Sequence, residues 1–213
     1  MSRPRYARYA GVLGVVLLVA IFVNSLFVHR TDATGIAPGQ RLAPFAVPLA
    51  LGTLNGDADI ATHVNQGSDG RVPACAERGS QILNACQLYE RGPLVLALFI
   101  DAGSCATVLG EMQALAAKFH RVRFAAVAIR GERAQIRRLI RAQGLTLPVG
   151  LDSDGAVAAL YKVFSCPQVN FVYPGGVVQS KALLANPSLA SLRARVSELV
   201  AASNARERRE PAA

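Results

Sequence analysis

LVLALFIDAGSCATVLGEMQAL, residues 94–115, is the stretch on which the fold turns. Its first seven residues are an unbroken apolar run of strand length, which predicts a strand buried on both faces. Asp101-Ala102-Gly103-Ser104 interrupts the run, and after Cys105 the apolar residues Val108, Met112, Leu115 and then Phe119 recur at helical spacing. The order is strand, tight loop, cysteine, helix. Chemistry in α/β sheets gathers beyond the carboxyl ends of central strands. The N–H groups and macrodipole at a helix start favour a thiolate over a thiol. Cys105 is therefore a candidate nucleophile. Asp101, just past the strand, is a candidate proton acceptor for it, or a cap for the loop or helix.

The same grammar continues downstream. VRFAAVAI (122–129) reads as a second buried strand, and GERAQIRRLIRAQG (131–144) as a basic amphipathic helix ending at Gly144. Arg133, Arg137, Arg138 and Arg141 read as its solvated face. LPVGLD (147–152) is a short strand, Asp154-Gly155 a turn and AVAALYKVF (156–164) a short helix. NFVYPGGVVQSK (170–181) is a hairpin through Pro174-Gly175-Gly176, and Ser188 to Ala202 is a helix with Leu189, Leu192, Val196 and Leu199 on one face. Upstream, PFAVPLALGTLNGDADIA (44–61) suggests a small hairpin around Asn55-Gly56. A polar loop follows, and Cys75 and Cys86 flank a segment of helical or turn character. Alternating strands and helices with a terminal hairpin predict an α/β domain: a mixed sheet flanked by helices, with an antiparallel edge.

The amino terminus is of another kind. Ala10 to Val28 is nineteen residues without a charge, about 28 Å as a helix, the span of a bilayer core. Arg3, Arg5 and Arg8 precede it, so the positive-inside bias predicts a cytoplasmic amino terminus and an exported domain. The run exceeds a usual signal-peptide core and no A-x-A-like site follows closely, which favours an uncleaved anchor. The expected organisation is a basic cytoplasmic stub (1–9), a transmembrane helix (10–28), a linker (29–41), the folded domain (42–202) and a charged tail (203–213). The expected location is the cell membrane, as a single-pass protein with its domain outside the cytoplasm.

Of 213 residues, 52% are hydrophobic and 17% charged, enough to build a full core and too few charges for disorder. The net charge of +9 is partly local: residues 1–30 hold four arginines and no acid, leaving an excess of five elsewhere. No nucleic-acid-binding motif accompanies it, which argues against a nucleic-acid partner. No nucleotide or flavin motif is present, so no cofactor is expected, and electrons would come from another protein or a small thiol. His29, His63 and His120 form no evident pair with a cysteine.

These segments together resemble the thioredoxin-like superfamily, in particular its exported redoxin and TlpA-type thiol-disulfide oxidoreductases. The resemblance spans roughly residues 40–202. It rests on LALFIDAGSC followed by VLGEMQAL, on LPVGLDSDGAVAALYKV, and on SCPQVNFVYPGGVV, which looks like the family's cis-proline loop with Pro167 as the cis residue. Members usually carry Cys-x-x-Cys at the helix start. Here that stretch is Cys105-Ala106-Thr107-Val108, so the usual resolving thiol is replaced by Val108. In this fold the residue before the cis-proline faces the active-site cysteine, so the resemblance implies that Cys166 sits near Cys105 and is the candidate resolving partner. A packing role for Cys166, or a static Cys105–Cys166 bridge, stays open beside it.

Cys75 and Cys86, with ten residues between them in an exported loop, suit a structural disulfide, with an exposed relay or a substrate disulfide as the other reading. Gaps of 11, 19 and 61 residues between the cysteines lack the paired spacing of zinc sites, so no metal is expected. The resemblance implies a membrane-anchored extracytoplasmic oxidoreductase that acts on protein or small-molecule disulfides and thiols of the cell envelope. Two alternatives accompany it. One is a peroxiredoxin-like peroxidase, whose P-x-x-x-T-x-x-C motif meets Leu98 and Ala102 here. The other is a non-catalytic thioredoxin-like binding module.

Overall fold

The computed structural model describes residues 13–20, 35–58, 72–185 and 187–209. The chain divides into two compact units, Met1–Ala33 and Thr34–Ala213. In the first, residues 13–20 are helical with exposed side chains; eight residues rise about 12 Å. Among the described residues no helix is long and apolar enough to cross a membrane. The other parts of the expected span, 10–12 and 21–28, lie outside the described residues, as do the stub 1–9, His29 and His63.

The second unit is an α/β domain. Its strands are β1 (Ala46–Pro48), β2 (Ile82–Asn84), β3 (Leu94–Ile100), β4 (Arg123–Arg130), β5 (Val149–Leu151), β6 (Gln168–Val172) and β7 (Val178–Leu184). Its helices are α1 (Ala85–Glu90), α2 (Thr107–Ala116), α3 (Arg133–Ala142), α4 (Ala156–Leu160) and α5 (Leu189–Arg209), with a 3-10 turn at Ala74–Ala76. The main sheet has the order β5-β4-β3-β6-β7. Strands β3, β4 and β5 are parallel, while β6 and β7 run antiparallel, giving the mixed sheet expected from the sequence.

The unbroken apolar runs are explained by burial on both faces. In β3, Val95, Ala97 and Phe99 face one core and Leu94, Leu96 and Leu98 the other; in β4, Phe124, Ala126 and Ala128 alternate in the same way with Ala125 and Val127. The first core is closed by Val108, Leu109, Met112 and Leu115 of α2, Ile136 and Ile140 of α3, and Leu192, Val196 and Leu199 of α5. The second is closed by α1, Tyr161, and Phe45 and Val47 from the amino-terminal segment. The ring of Phe45 meets that of Tyr161 edge-on, with centroids 5.7 Å apart.

Three local expectations need correction. Among the described residues no hairpin forms around Asn55-Gly56: β1 pairs with β2, more than thirty residues later, and Asn55 and Gly56 lie in exposed coil. The segment 49–54 is committed instead to β5 and α3. Leu49 bridges to Gly150, and Ala50 N–H donates to the Val149 carbonyl at 2.8 Å. The carboxyl half of the linker is docked rather than free. Arg41 bridges to Val177, Val178 N–H donates to the Gln40 carbonyl, and Leu42 N–H donates to the Gly176 carbonyl. Finally, residues 203–209, expected as the start of a charged tail, continue α5, with Ser203 buried and Arg206 stacked 4.6 Å over the Tyr173 ring. That cation–π contact gives the basic end of the helix a partner that hydropathy does not register.

Candidate functional site

The site is set by where the β3–β6 ladder stops. Leu94 stands opposite Val172 and Leu98 opposite Gln168; continuing that register places Ile100 opposite Cys166. Pro167 joins Cys166 through a cis peptide bond, and the last β6 partner of β3 is Gln168. The Ile100 N–H, left without a strand partner, lies 3.2 Å from Cys166 Sγ and 3.3 Å from Cys105 Sγ. The two sulfurs are joined in a disulfide, with Cα atoms 5.4 Å apart.

Cys105 reaches this place through a sequence of tight turns. Its N–H donates to the Ala102 carbonyl at 3.2 Å, and Thr107 closes the next turn onto the Ser104 carbonyl through both its N–H and its hydroxyl. Helix α2 begins at Thr107 with Ala106 as N-cap, so Cys105 stands just before the first turn rather than within it. Val108 is buried in the core beneath. No side chain caps α2, so Asp101 is not the cap of that helix. Asp101 is half-buried, and its backbone carbonyl accepts a hydrogen bond from Gln135 Nε2 at 3.4 Å.

The two sulfurs differ in access. Cys105 is 5% exposed and belongs to the first core, whereas Cys166 is only partly buried. Cys166 lines a groove of about 820 Å³ together with Ile100, Arg130, Glu132 and Asp154. At its rim Phe164 is 77% exposed.

Cys75 and Cys86 form the second disulfide, also with Cα atoms 5.4 Å apart. Cys86 belongs to the core on the other face of the sheet from Cys105. Asn84 holds this loop. Its amide donates to the carbonyls of Ala74 (2.6 Å) and Glu77 (2.7 Å), while its oxygen accepts from Gln87 N–H and caps α1. Arg78 adds an exposed ion pair to Glu90 at 2.7 Å.

The AhpC/TSA family matches residues 77–181. Among solved structures, the chain is similar to a secreted Mycobacterium tuberculosis disulfide oxidoreductase homologous to Escherichia coli DsbE. The identity is 22%, over 55% of this chain and 89% of that one, with a TM-score of 0.50. It is also similar to a protein designated thiol:disulfide interchange protein DsbE from Chlorobium tepidum, with 14% identity, 78% and 99% coverage and a TM-score of 0.59. Peroxidoxin BcpB from Mycobacterium tuberculosis follows, with 15% identity, 78% and 97% coverage and a TM-score of 0.56. The likeness is one of fold: the domain is thioredoxin-like. Comparison with curated protein sequences gives no match.

Several residues of the domain carry no signal in the sequence. Arg133 and Arg137 are not a solvated face: they clamp the segment after β1. Arg133 donates to the carbonyls of Leu49 (2.8 Å), Gly52 (3.0 Å) and Leu54 (2.6 Å), and Arg137 to those of Ala50 (2.8 Å) and Gly52 (2.5 Å). Burial, and then the charge of Arg137, lower the Arg133 pKa. Carbonyls that run past the end of a strand need donors, but the small and apolar residues that carry these four give no sign of it. Asp152 was also missed. It is buried after β5 and accepts N–H bonds from Val157 (3.1 Å) and Ala158 (2.8 Å), starting α4 next to the groove. The donor shared by both sulfurs is a backbone group and has no residue-type signature at all.

Proposed function

We propose that this protein is a redoxin, a thiol-disulfide oxidoreductase whose redox centre is the Cys105–Cys166 pair. The observation that carries the reading is a disulfide at the carboxyl end of the central strand, one sulfur bordering an open groove and both within reach of the Ile100 N–H. A backbone donor aimed at a sulfur stabilises the thiolate released when the disulfide opens, and so favours exchange. Cys166 supplies the second thiol that Val108 cannot, and Asp101 is the candidate proton acceptor. Cys75–Cys86 is structural: it closes a short loop in the opposite core. The partner is a protein or small-molecule thiol or disulfide, and residues 10–28 tether the domain to the outer side of the cell membrane.

A redox titration tests the centre. The folded protein is equilibrated with mixtures of dithiothreitol and its disulfide, and free thiols are mapped. Two thiols should appear at Cys105 and Cys166 under conditions that leave Cys75–Cys86 closed. A Cys105–Cys166 pair that opens only on unfolding would overturn the reading in favour of a binding module. The anchor is tested by alkaline carbonate extraction of membranes; release of the full chain would remove it.

The match to the AhpC/TSA family favours one second reading, a thiol peroxidase. In that case Cys105 of the reduced protein would attack peroxide and become a sulfenic acid, which Cys166 would condense with to give the disulfide and water. Capture of a Cys105 sulfenic acid in a Cys166→Ser variant treated with hydrogen peroxide distinguishes it from simple exchange.

A further inference from the structure

The sequence assigns the partner-facing role to Cys105 and resolution to Cys166. The geometry points to the reverse: we propose that the mixed disulfide with the partner forms on Cys166, with Cys105 as the buried leaving sulfur. This inference rests on the exchange reading above and adds the order of events. In thiol-disulfide exchange the attacking sulfur, the attacked sulfur and the leaving sulfur approach a line, so the attacked sulfur must be open on the side away from its partner. Cys166 is partly exposed and lines the groove beside Arg130, Glu132 and Asp154. Cys105 is 5% exposed and packed in the core with Phe99 and Val108, so it offers little open surface to an attacking sulfur.

The leaving side is equally asymmetric. Cys105 stands just before Ala106, the N-cap of helix α2, so the positive end of the helix dipole favours the charge it would acquire, and the Ile100 N–H lies 3.3 Å from its sulfur. Cys166 has the same Ile100 donor at 3.2 Å but no helix start behind it; Pro167 follows and β6 begins.

The partner implied is a dithiol, and the reaction balances with no further reagent. A partner thiolate attacks Cys166 Sγ. The Cys105–Cys166 bond breaks, its electron pair goes to Cys105 as thiolate, and the partner is joined to Cys166. The partner's second thiolate then attacks its own sulfur in that bond and closes the partner disulfide, and Cys166 leaves as a thiolate that takes up a proton. The partner dithiol is oxidised by two electrons and the Cys105–Cys166 disulfide is reduced to the thiol pair. By microscopic reversibility, reduction of a partner disulfide passes through the same adduct on Cys166.

Glutathione, which carries one thiol, stops the sequence at the adduct. The oxidised full-length protein is mixed with glutathione and quenched in acid at intervals from milliseconds to seconds. Free thiols are blocked with N-ethylmaleimide and the adducts located by peptide mass spectrometry. Extrapolated to zero time, glutathione is expected on Cys166 with the blocking group on Cys105, in at least tenfold excess over the opposite arrangement. Equal adducts, or a majority on Cys105, overturn the assignment while leaving exchange intact. If neither glutathione nor dithiothreitol opens the pair in the folded protein, the exchange reading fails and this assignment fails with it.

Discussion

Ile100 ends the central strand in register with Cys166, and its N–H lies 3.2 Å from that cysteine's sulfur. Antiparallel pairing would give this N–H a carbonyl acceptor, but β6 begins only at Gln168 and sulfur lies in that place instead. The Cys105–Cys166 disulfide thus sits at an interruption of the sheet, beside the buried residues of β3. Its geometry should survive changes in the outer loops.

The two disulfides should separate by function. Cys105→Ser is expected to abolish dithiol-disulfide exchange, because no second sulfur remains to accept the electron pair. Cys75→Ser opens a loop of sequence separation 11 and should lower stability by about 2–3 kcal/mol while leaving exchange within about twofold. Exchange rates with a small aromatic disulfide, read beside urea midpoints, check both. Loss of exchange in the folded Cys75 variant would make that pair part of the redox path.

Much of this was legible in the sequence, for a physical reason. The strands β3 and β4 are buried on both faces, so they are apolar at nearly every position, and the helices after them are apolar on one side only. The hairpin at Pro174-Gly175-Gly176 is written in turn residues: Gly176 takes a φ of +89°, and a Cβ there would lie 3.0 Å from the Tyr89 ring. What could not be read depended on contacts distant in sequence. The pairing of β1 with β2 spans a long excursion, so the local Asn55-Gly56 turn signal pointed to the wrong partner. The sharing of Ile100 N–H between two sulfurs follows from ladder register, which a single sequence does not state.

The arginine clamp predicts a local effect. Replacing both Arg133 and Arg137 by Ala leaves the carbonyls of Leu49, Ala50, Gly52 and Leu54 without these donors. Hydrogen bonds to charged groups contribute about 1.5–3 kcal/mol each, and several here are partly exposed, so a total loss of about 2–4 kcal/mol is expected. New cleavage near Leu54 in limited proteolysis, with the Cys105–Cys166 pair still reducible, would mark the loss as local. Unchanged proteolysis would show that β1 alone holds the segment.

Gly150 makes a sharper case. It lies mid-β5 where β1 and β2 cross, and a Cβ built there would collide with Val47 and lie 3.0 Å from Leu83 Cδ2. Gly150→Ala should therefore destabilise by about 1–3 kcal/mol through overpacking, despite the better strand propensity of Ala. A companion Val47→Ala change should restore part of that loss, which a double-mutant cycle in urea measures. Additive effects would place the strain elsewhere.

Asp152 gives the pH dependence. Burial pushes its carboxyl up from the ordinary 3.8 to about 6, against the pull of the N–H bonds from Ala158 and Val157 and with Asp154 beside it adding to the rise. The folded protein therefore binds a proton on Asp152 at a pH where the unfolded chain has released it. The stability linked to that proton is fully present below about pH 3.8 and is lost as pH rises to about 6, with no further change above. The swing attributable to this group is at most about 3 kcal/mol. Other carboxylates titrate in the same range, so the measurement is a difference: the pH profile of the urea midpoint for the protein minus that for Asp152→Asn. Between about pH 7 and 4 the protein should gain on the variant as pH falls. The asparagine side chain of the variant keeps one acceptor oxygen for two N–H groups and so carries a constant cost that does not alter the slope. Parallel profiles would mean that Asp152 is ionised throughout, held by its two backbone donors at the start of α4.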